Sequence, residues 1–204
     1  MMETIDTYIS ISGESNGSYR EKASRFLSLA VPVTSEEEVK RKLEEIRKAY
    51  YDANHHCFAY RLGKTGETYR YSDDGEPSGT AGRPIHGQIL SRGLSDVLVV
   101  VTRYFGGTKL GVPGLINAYR TAASEALDHA EKVEILITDS LEIVFEYPKM
   151  NDAMRILKDS GVNILHIESG ERCTIRFTVR KSRSEEIQHR LSKHNIISTC
   201  LYVL

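Results

Sequence analysis

The sequence is short of cysteine, of proline and of any excess of one charge, and each shortage closes off a class of protein. Its three cysteines, Cys57, Cys173 and Cys200, are widely spaced in strand-like apolar contexts. That excludes a disulfide framework or a paired-cysteine zinc site and leaves buried thiols. Basic side chains number 27 and acidic ones 28, a net charge of −1. Such a balance does not suit a protein that coats nucleic acid non-specifically, so any anionic partner has to be held locally. No apolar run approaches the roughly 18 to 20 residues of a membrane span. The opening MMETIDTYIS lacks the basic-then-apolar plan of a signal peptide, so the expectation is a cytoplasmic protein with no membrane partner. There is no internal repeat, low-complexity tract or Pro/Gly-rich linker, and two close-set domains are expected rather than freely tethered ones.

What the sequence does have is glycine in one place. Nine of its fifteen glycines fall between Gly75 and Gly114, in two clusters that each lead towards a helix. Between the clusters, Val97-Leu98-Val99-Val100-Val101 is an apolar, β-branched run suited to a strand buried on both faces. With 204 residues, 40% of them hydrophobic and 27% charged, the chain is an ordinary globular protein with length for two small domains.

Along the chain, alternation predicts strands at Ile5 to Ile11 and Phe26 to Val33, with the polar SGESNGS from Ser12 to Ser18 as a loop. Val39, Leu43, Ile46 and Tyr50 recur at helical spacing behind a Ser35/Glu38 capping box. His55 to Arg61 and Glu67 to Tyr71 read as a hairpin. The GKT within its turn is not a phosphate loop, because the glycine that motif needs five positions before Gly63 is Phe58. A short helix from Gly82 to about Arg92 follows. After the valine strand come a loop from Arg103 to Gly114 and a helix from Leu115 to Ala130. From Ser140 onward the order is β-α-β-β-α-β, the ferredoxin-like arrangement, and a boundary is placed near Thr138-Asp139. The fold class expected is α+β, with domains at 1–138 and 139–204.

Four groups of residues are candidates for chemistry. Arg103, Tyr104, Gly106, Gly107, Lys109 and Gly111 run from a buried strand into a helix. Glycine amides, the unpaired donors of a helix start and two cations together make an anion receptor. The same residues also suit a tight strand-to-helix turn with Tyr104-Phe105 plugging the core, and spacing does not decide between the two. Asp73, Asp74 and Glu76 around Gly75 bring three carboxylates into four residues; they suit Mg²⁺, a pair with Arg103, Lys109 or Arg83, or the capping of nearby N–H groups. No other cofactor is implied. His55, His56 and Cys57 tempt a metal assignment, but strand alternation lets only His55 and Cys57 share a face. In the second domain, Arg172 to Arg180 places three arginines and two threonines on one sheet face; Glu142 and Glu146 opposite would absorb that charge as cross-strand pairs. No catalytic constellation is legible, and the chain leans away from being an enzyme.

The segments HHCFAY (His55 to Tyr60), SDDGEPSGTAGRPI (Ser72 to Ile85), VVVTRYFGGTKLG (Val99 to Gly111) and GLINAYR (Gly114 to Arg120) closely resemble the IMPACT/YigZ family. The resemblance implies a first domain with the βαβ fold shared by domain IV of elongation factor G and the GHMP kinases. It implies a second domain like the ferredoxin-like domain V of that factor. It also implies a translation-linked binding protein whose partner is RNA, the ribosome or a regulatory protein. The alternative is an enzyme acting on a phosphorylated small molecule in the same groove. The family surface carried over comprises Asp73, Asp74, Gly75, Glu76, Pro77, Gly79, Thr80, Arg103, Tyr104, Gly106, Gly107, Lys109 and Gly111. Pro113 and Asn117 depart from the family pattern, Asn117 standing where a basic residue is common.

Overall fold

A computed structural model describes residues 6–201, which divide into two compact units. One spans Tyr8–Ile135; the other runs from Leu136 onward and takes in Asp6 and Thr7.

The first unit begins with β1 (Thr7–Ile11), β2 (Ser15–Glu21), β3 (Ser24–Pro32) and α1 (Glu36–Ala49). It continues with β4 (His55–Leu62), β5 (Thr68–Ser72), α2 (Gly82–Ser91), β6 (Val97–Tyr104), α3 (Gly111–His129) and β7 (Lys132–Leu136). The main sheet has the order β2-β3-β6-β4-β5, and β1 pairs with β7 in a separate ribbon. Every neighbouring pair in the main sheet is antiparallel. β3 and β4 therefore run the same way on either side of β6, and α1 joins them as a crossover. The same holds for β5, α2 and β6, with β4 between the two strands. The unit is thus built from βαβ crossovers, each with an antiparallel strand inserted.

β6 lies at the centre of the sheet, and its apolar run is buried as expected because helices cover both faces. Val97, Val99 and Val101 pack with Phe26, Ile85, Ile89, Tyr119 and Ala122 under α2 and α3. Leu98 and Val100 pack with Val39, Leu43 and Ile46 of α1 on the other side. The alanines of α3 let the helix sit close to the sheet, so close that a Cβ on Gly17 of β2 would stand 2.5 Å from the Ala126 amide.

Two elements differ from the sequence-based expectation. The stretch expected as a loop from Ser12 to Ser18 contains most of β2, which pairs with β3 through a turn at Lys22-Ala23. Both turn residues have positive φ, 45° and 64°, a conformation that sequence usually marks with Gly, Asn or Asp. The second difference is that α3 starts at Gly111 and not at Leu115. Pro113 falls in its first turn, where a missing donor costs nothing. The capping box before α1 forms in part: Ser35 Oγ accepts from the Glu38 amide at 3.2 Å, but the Glu38 carboxylate reaches one residue further back, to the Thr34 amide at 2.7 Å. Of the first expected strand, Ile5 lies outside the described residues.

The second unit contains β8 (Thr138–Glu146), α4 (Met150–Asp159), β9 (Asn163–Glu168), β10 (Arg172–Arg180), α5 (Lys181–Ser192) and β11 (Ile197–Leu201). Its sheet order is β11-β8-β10-β9, all antiparallel, which is the ferredoxin-like arrangement. Both helices close over one face, burying Leu141, Ile143, Ile175, Phe177 and Leu157. Asp6 caps α5, accepting from the Ser182 amide at 2.7 Å and from its hydroxyl. On the open face, Arg176 meets Glu142 across the strands at 2.6 Å, so that basic stripe is partly neutralised as expected. Residues 202–204, part of the last expected strand, lie outside the described residues.

Candidate functional site

The two glycine-rich loops connect β5 to α2 and β6 to α3. In the first loop the three carboxylates diverge. Asp73 turns towards α2 and accepts from the amides of Gly79, Ala81 and Gly82 at 2.8, 2.9 and 2.8 Å. Two of these donors, Ala81 and Gly82, are ones that a helix start would otherwise leave open, although Ala81, the residue immediately before the helix, has no capping side chain of its own. Asp74, with φ 44°, accepts from the His56 amide at 2.6 Å, and its carbonyl takes the His55 ring at 2.8 Å. A carbonyl can only accept, so His55 Nδ1 carries the proton.

Glu76 goes inward. Its Oε1 lies 2.5 Å from Arg103 Nη1 and 2.7 Å from the Tyr119 hydroxyl, and His55 Nε2 stands 3.9 Å away. Arg103 is 5% exposed, with its guanidinium 5.4 Å from the Phe26 ring and 5.5 Å from that of Phe105. It was expected to meet phosphate at the surface. Instead it is the counter-ion of a buried carboxylate, because its place at the end of the central strand points it under the first loop. Among the described residues, no three or more His, Cys, Asp or Glu side chains converge on a point that could hold a metal. The divergence of Asp73, Asp74 and Glu76 is the reason in this loop.

Cys57 is fully buried beneath the same loop, its thiol 3.0 Å from the Asp73 carbonyl. Burial pushes both this thiol and the Tyr119 hydroxyl far up. Desolvation of this kind disfavours the thiolate, the form of cysteine that attacks.

The second loop is organised differently. The Phe105 amide is taken by Asn54 at 2.7 Å and the Gly106 amide by Ser24 Oγ at 3.1 Å. Gly106 is there for space: a Cβ would lie 2.1 Å from the Ala23 backbone at the tip of the β2–β3 hairpin. Tyr104 donates to Asp52 at 2.9 Å and stacks under Arg25. Gly107 and Gly111 take φ of 81° and 73° with no protein packed close above them. Lys109 is exposed, and the start of α3 at Leu110 has no side-chain cap. The expected receptor is therefore reduced to the exposed half of the loop, from Gly107 to Gly111.

Beyond this loop, α3 packs against α2. Arg92, just past the end of α2, bonds Ser124 at 2.8 Å and Asp128 at 2.5 Å near the end of α3. At their other ends, Arg83 and Pro84 of α2 border the same cleft as Ile116 and Arg120 of α3. The helices run parallel, the first turn of α2 meeting α3 at Ile116 and Arg120, more than a turn past the start of α3 at Gly111. The cleft between them measures about 390 Å³ and is also lined by Gly79, Gly87 and Gln88. Arg83, Lys109 and Arg120 are exposed, and among the described residues none pairs with a carboxylate. Arg120 is the residue that the sequence reading missed. It lies in the GLINAYR segment, but only the parallel packing of α2 and α3 reveals that it shares a cleft with Arg83.

The Impact N-terminal domain model matches residues 22–127, more than half of the chain and most of the first unit. The chain belongs to the IMPACT family. IMPACT family member YvyE of Bacillus subtilis is 37% identical over 148 residues, 72% of this chain and 68% of that protein. IMPACT family member YigZ of Escherichia coli is 39% identical over 108 residues, 52% of this chain and 53% of that protein. The matched stretch thus spans between half and about two thirds of these relatives' own length. A crystal structure of a hypothetical protein superposes with a TM-score of 0.72 at 23% identity, covering 98% of this chain and 100% of that one, which shows the two-unit α+β fold alone. No helix among the described residues is long and apolar enough to cross a membrane.

Proposed function

We propose that this IMPACT family protein is a cytoplasmic, non-enzymatic binding protein with a translation-linked role. It would hold RNA phosphates along the cleft between α2 and α3 and at the uncapped start of α3. The observation that carries the reading is this pair of parallel helices. Arg83 and Arg120 stand unpaired on the walls of the cleft between them, and Lys109 stands unpaired in the loop before α3, whose start is uncapped. Helix amino ends and free guanidinium groups are how proteins position a phosphate backbone without reading its sequence. The expected likeness of the two units to domains IV and V of elongation factor G agrees with a ribosomal setting. The overall charge of −1 agrees with local rather than global attraction.

Filter binding to purified ribosomal RNA and to ribosomes at low and high salt tests the proposal. Salt-sensitive binding that weakens in Lys109→Ala is the expected result; no binding at low salt ends the reading. A second reading, an enzyme for a phosphorylated metabolite, has one observation in its favour, the 390 Å³ cleft with two arginines on its walls. It predicts a rise in melting temperature with a phosphometabolite in the absence of RNA.

A further inference from the structure

The edge of the main sheet beside α2 carries an aromatic surface that the phosphate site does not use. β5 is an edge strand, and its Tyr69 and Tyr71 lie on the α2 face of the sheet, 55% and 42% exposed. The ring of His86, on α2, lies nearly parallel to Tyr69 with centroids 4.8 Å apart, and 5.7 Å from Tyr71. His86 is itself 8% exposed, and its Nε2 is buried with no hydrogen-bond partner. Two large rings are thus kept at the surface on a buried third ring that no hydrogen bond explains.

Of the cations near these rings, Arg83 is free. Arg83 is one helical turn from His86 on the outer side of α2, and it borders the cleft described above. Arg70 projects from the other face of β5 and is exposed, with no carboxylate partner among the described residues. Arg61, nearest the His86 ring on β4, is consumed by the carbonyls of Gly66, Leu94 and Thr65. The acids of the following loop are turned away, Asp73 to the α2 amides and Asp74 to the His56 amide. Glu67, just before the strand, is the exposed acid at the far end.

We infer that Tyr69 and Tyr71 form a stacking platform for unpaired bases of single-stranded nucleic acid, whose backbone continues across Arg83 to the cleft between α2 and α3. This deepens the proposed RNA reading and rests on it. Aromatic faces beside a free arginine are a combination that single-stranded nucleic acid fits, base on ring and phosphate on guanidinium. An extended peptide adding to the edge fits less well. β5 has only five residues and carries an exposed arginine, a feature that discourages strand addition.

The test compares a labelled oligoadenylate of roughly ten nucleotides with an abasic ribose-phosphate oligomer of equal length and charge. Wild-type protein is expected to bind the oligoadenylate about tenfold tighter than the abasic oligomer. Tyr69→Ala and Tyr71→Ala should each reduce that preference while leaving abasic binding unchanged, and Tyr69→Phe should keep it. Equal affinity of wild type for the two oligomers overturns the platform and leaves the phosphate site standing. Absence of binding to either oligomer overturns both proposals, and capture of an extended peptide on β5 with no base preference overturns the platform in favour of a protein partner.

Discussion

The loops before α2 and before α3 look alike in sequence, each a glycine-rich passage from strand to helix, yet they end in opposite states. The first carries its own acceptor. Asp73 reaches the amides of Gly79, Ala81 and Gly82, so the positive end of α2 is already satisfied. The second borrows Asn54 and Ser24 for its first two amides and offers no acceptor to the helix itself. Glycine content announces that a backbone can approach something. Whether a carboxylate within reach gets there first decides if that something is the protein or a ligand. The buried Glu76–Arg103 pair ties the loops together, since one partner comes from each side.

The largest way to disturb this comparison is to cut that tie. Arg103→Met leaves the Glu76 carboxylate buried without its counter-ion and is expected to cost about 3–5 kcal/mol of unfolding free energy, measured by urea denaturation. Adding Glu76→Gln should return part of the loss. A smaller effect follows from opening the closed loop. Asp73→Ala removes an acceptor shared by three amides and is expected to cost about 2 kcal/mol, with Asp73→Asn retaining part of it. If Asp73→Ala is neutral in the same denaturation series, the loop is not held closed by this residue.

The smallest effect concerns pH. Desolvation, with Arg61 nearby, holds the His86 ring below its ordinary range. The unfolded chain then takes up a proton first as pH falls, so stability is full above about pH 6.5 and declines below it, down to the folded pKa. His86→Gln should flatten the acid side of the melting-temperature profile, Tyr69 and Tyr71 remaining in place.

Much of the fold was legible in the sequence because its elements carry their own signals. The valine run announces a strand covered on both sides, and the Val39, Leu43, Ile46 periodicity announces α1. β2 was not legible because it is half exposed and polar, and because Lys22-Ala23 turns with positive φ and none of the usual turn residues. The start of α3 was hidden by Gly111 and Gly114, which read as loop. Asp6 capping α5 from 176 positions away has no local trace at all.

The candidate site was legible in outline, Lys109 and Arg83 among its members, but not in its arrangement. An arginine in a strand-end motif carries no sign of facing inward, and Arg103 does so only because Glu76 is placed beneath the same loop. Arg120 could be joined to Arg83 only after Arg92, Ser124 and Asp128 fixed the two helices as parallel. Long-range packing, unlike periodicity, leaves no mark at a fixed spacing.

The most direct test of the central claim is the salt dependence of single-stranded RNA binding in wild type and in the triple variant Arg83→Gln, Lys109→Gln, Arg120→Gln. If these three cations meet phosphates, the slope of log K against log salt should become shallower by roughly 2. Lys40→Gln with Lys48→Gln on α1 should leave it unchanged. A triple variant whose slope and affinity match the wild type would contradict the account.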